Sequence, residues 1–284
     1  MRRGYADTPH GQIHYAEAGD GPPLVLLHPT PRSGRAFAPL QALLSDRFRT
    51  VALDTLGFGS SDPLPADPSM PLLADSVARA MDALHIARAH VLGMHTGNKI
   101  AAALAAGRPE RVDRLVLLGM THSLVVEREQ REAAIHGLVH RYFDTSEREE
   151  GTVRLLASWH RRWQELAALW WDMDVLGEPA LDRAALAHLA ERAMEAIACG
   201  DSVETIYRAN FAFDLAECLG RIVAPTLVVE LATEAEAALG RAGEAMAAAI
   251  PDGCAVRLDG ADRTALARAP ERIAEPVAAF LGKA

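Results

Sequence analysis

Apolar residues gather early in the chain into three short runs, PLVLLH (23–28), RTVALD (49–54) and AHVLGM (89–94), each bounded by Gly, Pro or charge. A fourth, DRLVLLGM (113–120), follows an Ala-rich stretch, and two more come far downstream, APTLVVEL (224–231) and CAVRLDG (254–260). Short apolar runs bounded in this way predict strands buried on both faces. Segments fit for helices lie between them, over 35–45, 71–87 and 97–107, and Ala-rich helical segments separate and follow the last two runs. Strands alternating with helices predict βαβ units and the α/β class, with a mostly parallel central sheet flanked by helices. The opening GYADTPHGQIHYAEAGDG reads instead as a hairpin that turns at PHG.

The alternation breaks over 121–218. This stretch is charged and helix-rich, as in EREQREAAIHGLVHRYF and ALDRAALAHLAERAMEAIA, and it holds no clear strand. The expected organisation is a core domain of residues 1–120 and 219–284 with an inserted all-helical cap, 121–218. In an open α/β sheet such a cap covers the strand ends where ligands bind. All four tryptophans lie in this segment. At about 100° per residue, Trp159, Trp163 and Trp170 share one face of an unbroken helix. That stripe is either the packing face of the lobe or an aromatic, substrate-binding lid over a pocket.

Composition narrows the function classes. The chain has 284 residues, half of them apolar, enough for a sizeable core. A net charge of −9 argues against nucleic-acid or anionic-membrane partners and leaves a small-molecule substrate as the expected one. Cys199, Cys218 and Cys254 are scattered, so neither a disulfide framework nor a zinc site is expected, and a reducing cytoplasm fits. The first residues carry two arginines with no apolar run behind them, so no secretory signal is expected. No uncharged apolar stretch reaches the roughly 18 residues of a membrane span. GFGSS (57–61) lacks the flanking pattern of a phosphate or dinucleotide loop, and no histidine pair has a third ligand at hand. No cofactor and no metal are expected.

The stretch VLGMHTGNKIA (91–101) carries the candidate chemistry. It reads as a strand entering a helix through a glycine-flanked turn, with His95 at the tip. Such a reversal leaves the tip residue strained and projecting. Gly93 and Gly97 have no Cβ, so neighbouring backbone can come close. Histidine is among the non-glycine residues that adopt positive φ. The new helix aims its N-terminal amides, including that of Thr96, at the same point, which favours an anion there. The macrodipole also opposes a positive charge on His95, which suits a neutral general base.

Five segments in order, LVLLHPTPRSGRAF, ALDTLGFGSSD, GMHTG, APTLVVELATE and LDGADRTALARAPERIAEPVAAFL, resemble the α/β-hydrolase superfamily with an inserted cap, over nearly the whole length. The resemblance implies a nucleophile, an acid and a histidine in three slots. Here the nucleophile slot holds His95 and the acid slot falls on Glu234. The histidine slot falls on Arg263, where the family's Gly-Ala-Gly-His reads Gly260-Ala261-Asp262-Arg263; a slip of one residue puts Asp262 there instead. With no hydroxyl at the tip, and a permanently charged guanidinium or a carboxylate where the imidazole should be, acyl-enzyme chemistry is excluded. The implied oxyanion hole survives as the amides of Thr30 and Thr96, although Pro29 lacks an N–H. His28 is expected to hydrogen-bond loop backbone as in relatives, and it also counts among the residues on the substrate side. Asp54 and Asp62 are expected to order their loop.

These residues support three expectations. The first is a hydrolase in which His95 activates water against a small carbonyl-containing, partly aromatic substrate. Arg263 would then orient an anionic group or pair with Glu234, and His122 would be a second acid or base or else a plain loop histidine. The second is a lyase, isomerase or cyclase using the same base. The third is an inactive protein that binds a ligand or partner in the inherited pocket.

Overall fold

The computed structural model describes residues 1–119, 191, 194–195, 198–199, 202–233, 243–262 and 264–282. Its eight strands are β1 Arg2–Thr8, β2 Gly11–Ala18, β3 Pro23–Leu27, β4 Arg49–Leu53, β5 Ala89–Met94, β6 Val112–Leu118, β7 Thr226–Ala232 and β8 Gly253–Asp259. They form one sheet in the order β1-β2-β4-β3-β5-β6-β7-β8. The β1–β2 hairpin pairs antiparallel within itself and onto β4, and every other pairing is parallel. The helices are α1 Ala38–Leu44, α2 Met70–Ala83, α3 Thr96–Gly107, α4 Ser202–Ala212, α5 Leu215–Gly220, α6 Gly243–Ala248, α7 Ala265–Arg268 and α8 Pro270–Leu281.

The six apolar runs are the six parallel strands, and burial explains why they carry so little polar alternation. Val25, Leu27, Val51, Leu53, Val91, Leu115 and Leu117 face one way, into a core built with α2 (Leu73, Val77), α3 (Ile100, Leu104) and α4 (Val203, Ile206). Leu24, Leu26, Leu92, Met94, Val116, Leu118 and Val229 face the other way, against α1 (Leu40, Leu44) and α8 (Ile273, Val277). Successive side chains of a strand point to opposite faces. With both faces covered by helices, the stretches Leu24–Leu27, Val51–Leu53 and Leu115–Leu118 are apolar at every position, while the edge strand β8 carries Arg257 and Asp259. The hairpin is fastened to the edge of this core by Glu17, whose carboxylate accepts from Arg49 Nε and Nη2 at 3.0 and 2.9 Å and pairs with Arg2 at 3.0 Å.

Element ends differ from the sequence pattern where a residue takes left-handed backbone. α2 stops at Ala83, short of the 87 that periodicity suggests. His85 has φ 57, with its amide on the Asp82 carbonyl and the Ile86 amide on the Met81 carbonyl. These two bonds make a Schellman cap, and histidine occupies the position usually given to glycine. β6 likewise ends before Gly119, at φ 63. Thr8 pairs with Gly11, so the hairpin turns on Pro9 and His10 and Gly11 already belongs to β2.

Residues 120–190 lie outside the described residues. Within the stretch expected as the cap, the buried faces of α4 and α5 join the same apolar cluster as α2 and α3. Among the described residues, no helix is long and apolar enough to cross a membrane.

The α2 cap yields a stability prediction. His85→Gly removes the cost of a side chain at positive φ and should stabilise the fold by about 1 kcal/mol. Urea denaturation measures it, and an unchanged or lower midpoint would refute the capping account.

Candidate active site

β5 delivers His95 to the tip of a turn. The residue has φ 51 and ψ −108 and caps α3, whose first residue is Thr96. Apart from His85, it is the only non-glycine residue at positive φ among the described residues. A side chain in this sparsely populated region is held there by its surroundings, and those surroundings are visible. A Cβ built on Gly97 would lie 2.0 Å from the Leu27 carbonyl oxygen, and one on Gly93 would lie 2.4 Å from the Gly97 oxygen. The first turn of α3 is thus pressed against the ends of both β3 and β5. The His95 carbonyl closes that turn by accepting the Asn98 amide at 3.1 Å. His95 itself is half-buried.

The same close approach brings in Thr30. β3 and β5 are parallel neighbours with Leu27 opposite Gly93, so the loop after β3 begins beside the elbow. Thr30, in that loop, is buried, and its Oγ has no hydrogen-bond partner among the described residues. Thr96 is buried too, and its Oγ accepts from Asn210 Nδ2 of α4 at 3.2 Å. The Thr96 hydroxyl is thereby committed to α4, while its amide belongs to the N-terminal turn, where helix amides lack intrahelical acceptors.

The loop after β3 is held by charges and dipoles. His28 is wholly buried. Its Nδ1 donates to the Pro29 carbonyl at 3.0 Å, and its Nε2 accepts the Thr55 amide at 3.0 Å. An amide can only donate, so this bond fixes the tautomer. Both ring nitrogens are spent on loop backbone, which leaves neither for a ligand. Asp54 Oδ1 accepts the Gly34 amide at 2.7 Å, while Oδ2 accepts the Ser60 amide and pairs with His14, each at 2.9 Å. Asp62 accepts the Gln12 amide at 2.8 Å. Further along, Arg32 Nε and the Ser33 hydroxyl both donate to the carboxylate of Glu195, from the 121–218 stretch, and Arg35 pairs with Glu191 one helical turn earlier. The loop that carries Thr30 is therefore tied to a segment about 160 residues away in sequence.

Several expected site residues, Glu234, Arg263, His122, Trp159, Trp163 and Trp170, lie outside the described residues. Asp262, the alternative for the histidine slot, accepts the Thr264 amide and hydroxyl at 2.7 and 2.6 Å, a local turn leading into α7. Sequence reasoning missed Asn210, Arg32, Ser33 and Glu195. For Asn210 a signal was present: Val203, Ile206, Tyr207 and Asn210 follow the i, i+3, i+4, i+7 spacing of a buried helical face, and only the last is an amide. No local pattern marks the partners of Glu195.

Comparison with known proteins agrees with this fold. A model of the alpha/beta hydrolase fold matches residues 22–169, just over half of the chain. The chain belongs to the α/β-hydrolase fold family. Over 114 residues it is 37% identical to a 2-hydroxy-6-oxononadienedioate/2-hydroxy-6-oxononatrienedioate hydrolase of Paraburkholderia xenovorans, covering 38% of this chain and 39% of that protein. Over 116 residues it is 37% identical to haloalkane dehalogenase 2 of Mycobacterium bovis, covering 40% of each. The matches thus span about two fifths of the length of these relatives. The crystal structure of the enol-lactonase from Burkholderia xenovorans LB400 superposes with a TM-score of 0.74 at 24% identity, over 99% of this chain and 100% of that one. That likeness shows the shared fold.

Two predictions follow from the packing and burial of the site. Gly97→Ala forces a methyl group onto the Leu27 carbonyl and should destabilise by about 3 kcal/mol or more, whereas Gly107→Ala, with nothing within 4 Å of the added carbon, should stabilise by about 0.5–1 kcal/mol. Equal effects in thermal unfolding would contradict the close approach. For His28, burial lowers the pKa and the Arg32 charge adds to this, against the opposing pull of Asp54, the Pro29 carbonyl and Glu195. The unfolded chain then takes up the proton first, so stability present above pH about 6.5 is lost as pH falls below it. Denaturation between pH 7 and 5 should show a slope shallower in His28→Gln by up to about 1.4 kcal/mol per pH unit; an identical slope would refute the neutral buried ring.

Proposed function

We propose that this chain is a hydrolase in which His95 works as a general base and no acyl-enzyme forms. The observation that carries the reading is an imidazole at φ 51, half-buried, at the start of α3 and beside the Thr30 loop. His95 takes a proton from water as the water oxygen attacks the substrate carbonyl. The amides of Thr30 and Thr96 donate to the oxygen that becomes negative. Collapse of the tetrahedral species breaks the bond to the leaving group, which takes the proton back from His95. Arg263 orients an anionic group of the substrate or pairs with Glu234, and His122 serves as a second acid or base. Residues 121–218 form the cap, with Trp159, Trp163 and Trp170 over a small, partly aromatic substrate. The hydrolase names of relatives in the family support the reaction class.

A second reading is favoured by the tip residue itself. An imidazole without a neighbouring hydroxyl nucleophile is equally suited to removing a proton from carbon, which gives a lyase or isomerase.

The test begins with a screen of small phenyl and benzyl esters, lactones and hydroxy-ketones against the purified protein. His95→Ala should lower kcat about 10²–10⁴-fold on any substrate found. Undiminished turnover in that variant would remove His95 from the mechanism. Reaction in H₂¹⁸O separates the two chemistries: label in the product fits hydrolysis, and its absence fits the lyase or isomerase.

A further inference from the structure

Polar atoms buried without a partner are costly, so folded proteins keep few of them, and each asks for an explanation. Three stand around the elbow: Thr30 Oγ in the loop after β3, Asn98 Oδ1 in the first turn of α3, and Asn210 Oδ1 on α4. Asn210 is the most specifically placed. It is 5% exposed, and its Nδ2 is committed to Thr96 Oγ at 3.2 Å, the residue after His95. That bond holds the amide plane at the N-terminal turn of α3, and the atom left over is a strong acceptor with no donor among the described residues. Ile206 and Tyr207, one turn back on the same face, are buried in the core cluster, so Asn210 is the one amide on the buried face of α4.

We propose that Asn210 Oδ1 is a specificity-determining acceptor for an O–H or N–H group next to the substrate's reacting carbonyl. The inference rests on the hydrolase reading for the position of that carbonyl, between the amides of Thr30 and Thr96. It names the substrate class: α-hydroxy or α-amino carbonyl compounds, and not their O-alkylated or N,N-dialkylated counterparts, which have no O–H or N–H to donate. A ligand of this kind gives Asn210 the donor it lacks. An analogue without the donor leaves that oxygen desolvated and unpaired, a penalty that discriminates more strongly than one lost methylene. Thr30 Oγ, 6% exposed and on the β3 side of the elbow, can donate as well as accept, and it gives the same ligand a second polar neighbour.

The experiment compares phenyl glycolate, which carries the α-hydroxyl, with phenyl methoxyacetate, in which that hydroxyl is capped. Phenol release is followed for the wild type, Asn210→Leu and the smaller Asn210→Ala, each checked for folding by circular dichroism. The wild type should favour the glycolate by at least about tenfold in kcat/KM, and both variants should bring the ratio close to one. A ratio that is the same in wild type and variants overturns the proposal. If the wild type releases phenol from neither ester, the hydrolase reading has failed on these esters and binding decides Asn210 separately. Calorimetry with glycolamide and methoxyacetamide should then show a preference for glycolamide that is lost in Asn210→Leu. Equal affinities, or no binding of either amide by the wild type, overturn the assignment.

Discussion

Gly97 meets the end of β3 so closely that its missing side chain is a condition of the architecture, since the space a Cβ would need is filled by the Leu27 carbonyl. Everything at the site hangs on that approach. It sets the angle at which α3 leaves the sheet, and so aims the amide-bearing end of the helix at the loop that follows β3. It places Asn98 close enough to bond the Leu118 carbonyl at the end of β6, at 2.9 Å. The strained φ of His95 is the geometric remainder, because a strand that ends there and a helix pressed back against its neighbours can be joined only through a residue in a rare conformation. Strain in one residue is sustained by packing in many.

Around this joint, carboxylates do the ordering that regular secondary structure does elsewhere. Asp54 gathers two amides and a histidine from three separate segments. Glu195 gathers a guanidinium and a hydroxyl from the loop after β3. Both side chains are largely buried, so removing either would leave donors without acceptors, which costs more than the bonds themselves contribute. Loops usually carry function because they vary, yet they can hold a site only when pinned. Here the pins are two acidic residues, Asp54 and Glu195, that accept from the loop after β3.

The parallel sheet was legible in the sequence because burial on both faces leaves a continuous apolar run, a signal that needs no partner to be read. The elbow was legible for a related reason: two glycines and a tip residue tolerant of positive φ sit within five positions. What stayed hidden was contact between distant segments. Asn210 reaches Thr96 across 114 positions and Arg32 reaches Glu195 across 163, and neither pairing leaves a periodic trace. The end of α2 was misread because periodicity continues through His85, whose left-handed turn depends on two backbone bonds and not on its side chain. The place of Glu234 and Arg263, counted from the family pattern, depends on residues outside those described.

The elbow's constraints reside in backbone atoms: the Leu27 carbonyl, the Gly97 carbonyl and the amides of α3. What these backbone contacts ask of the tip residue is that it accept its φ. The position therefore behaves as a socket, in which the reactive group can be exchanged while the mounting stays the same. For protein engineering this makes residue 95 a place to install chemistry by saturation mutagenesis, with aspartate, cysteine and serine each presented at the same point in space. It also means that the overall shape of such a chain carries little information about which reaction it performs.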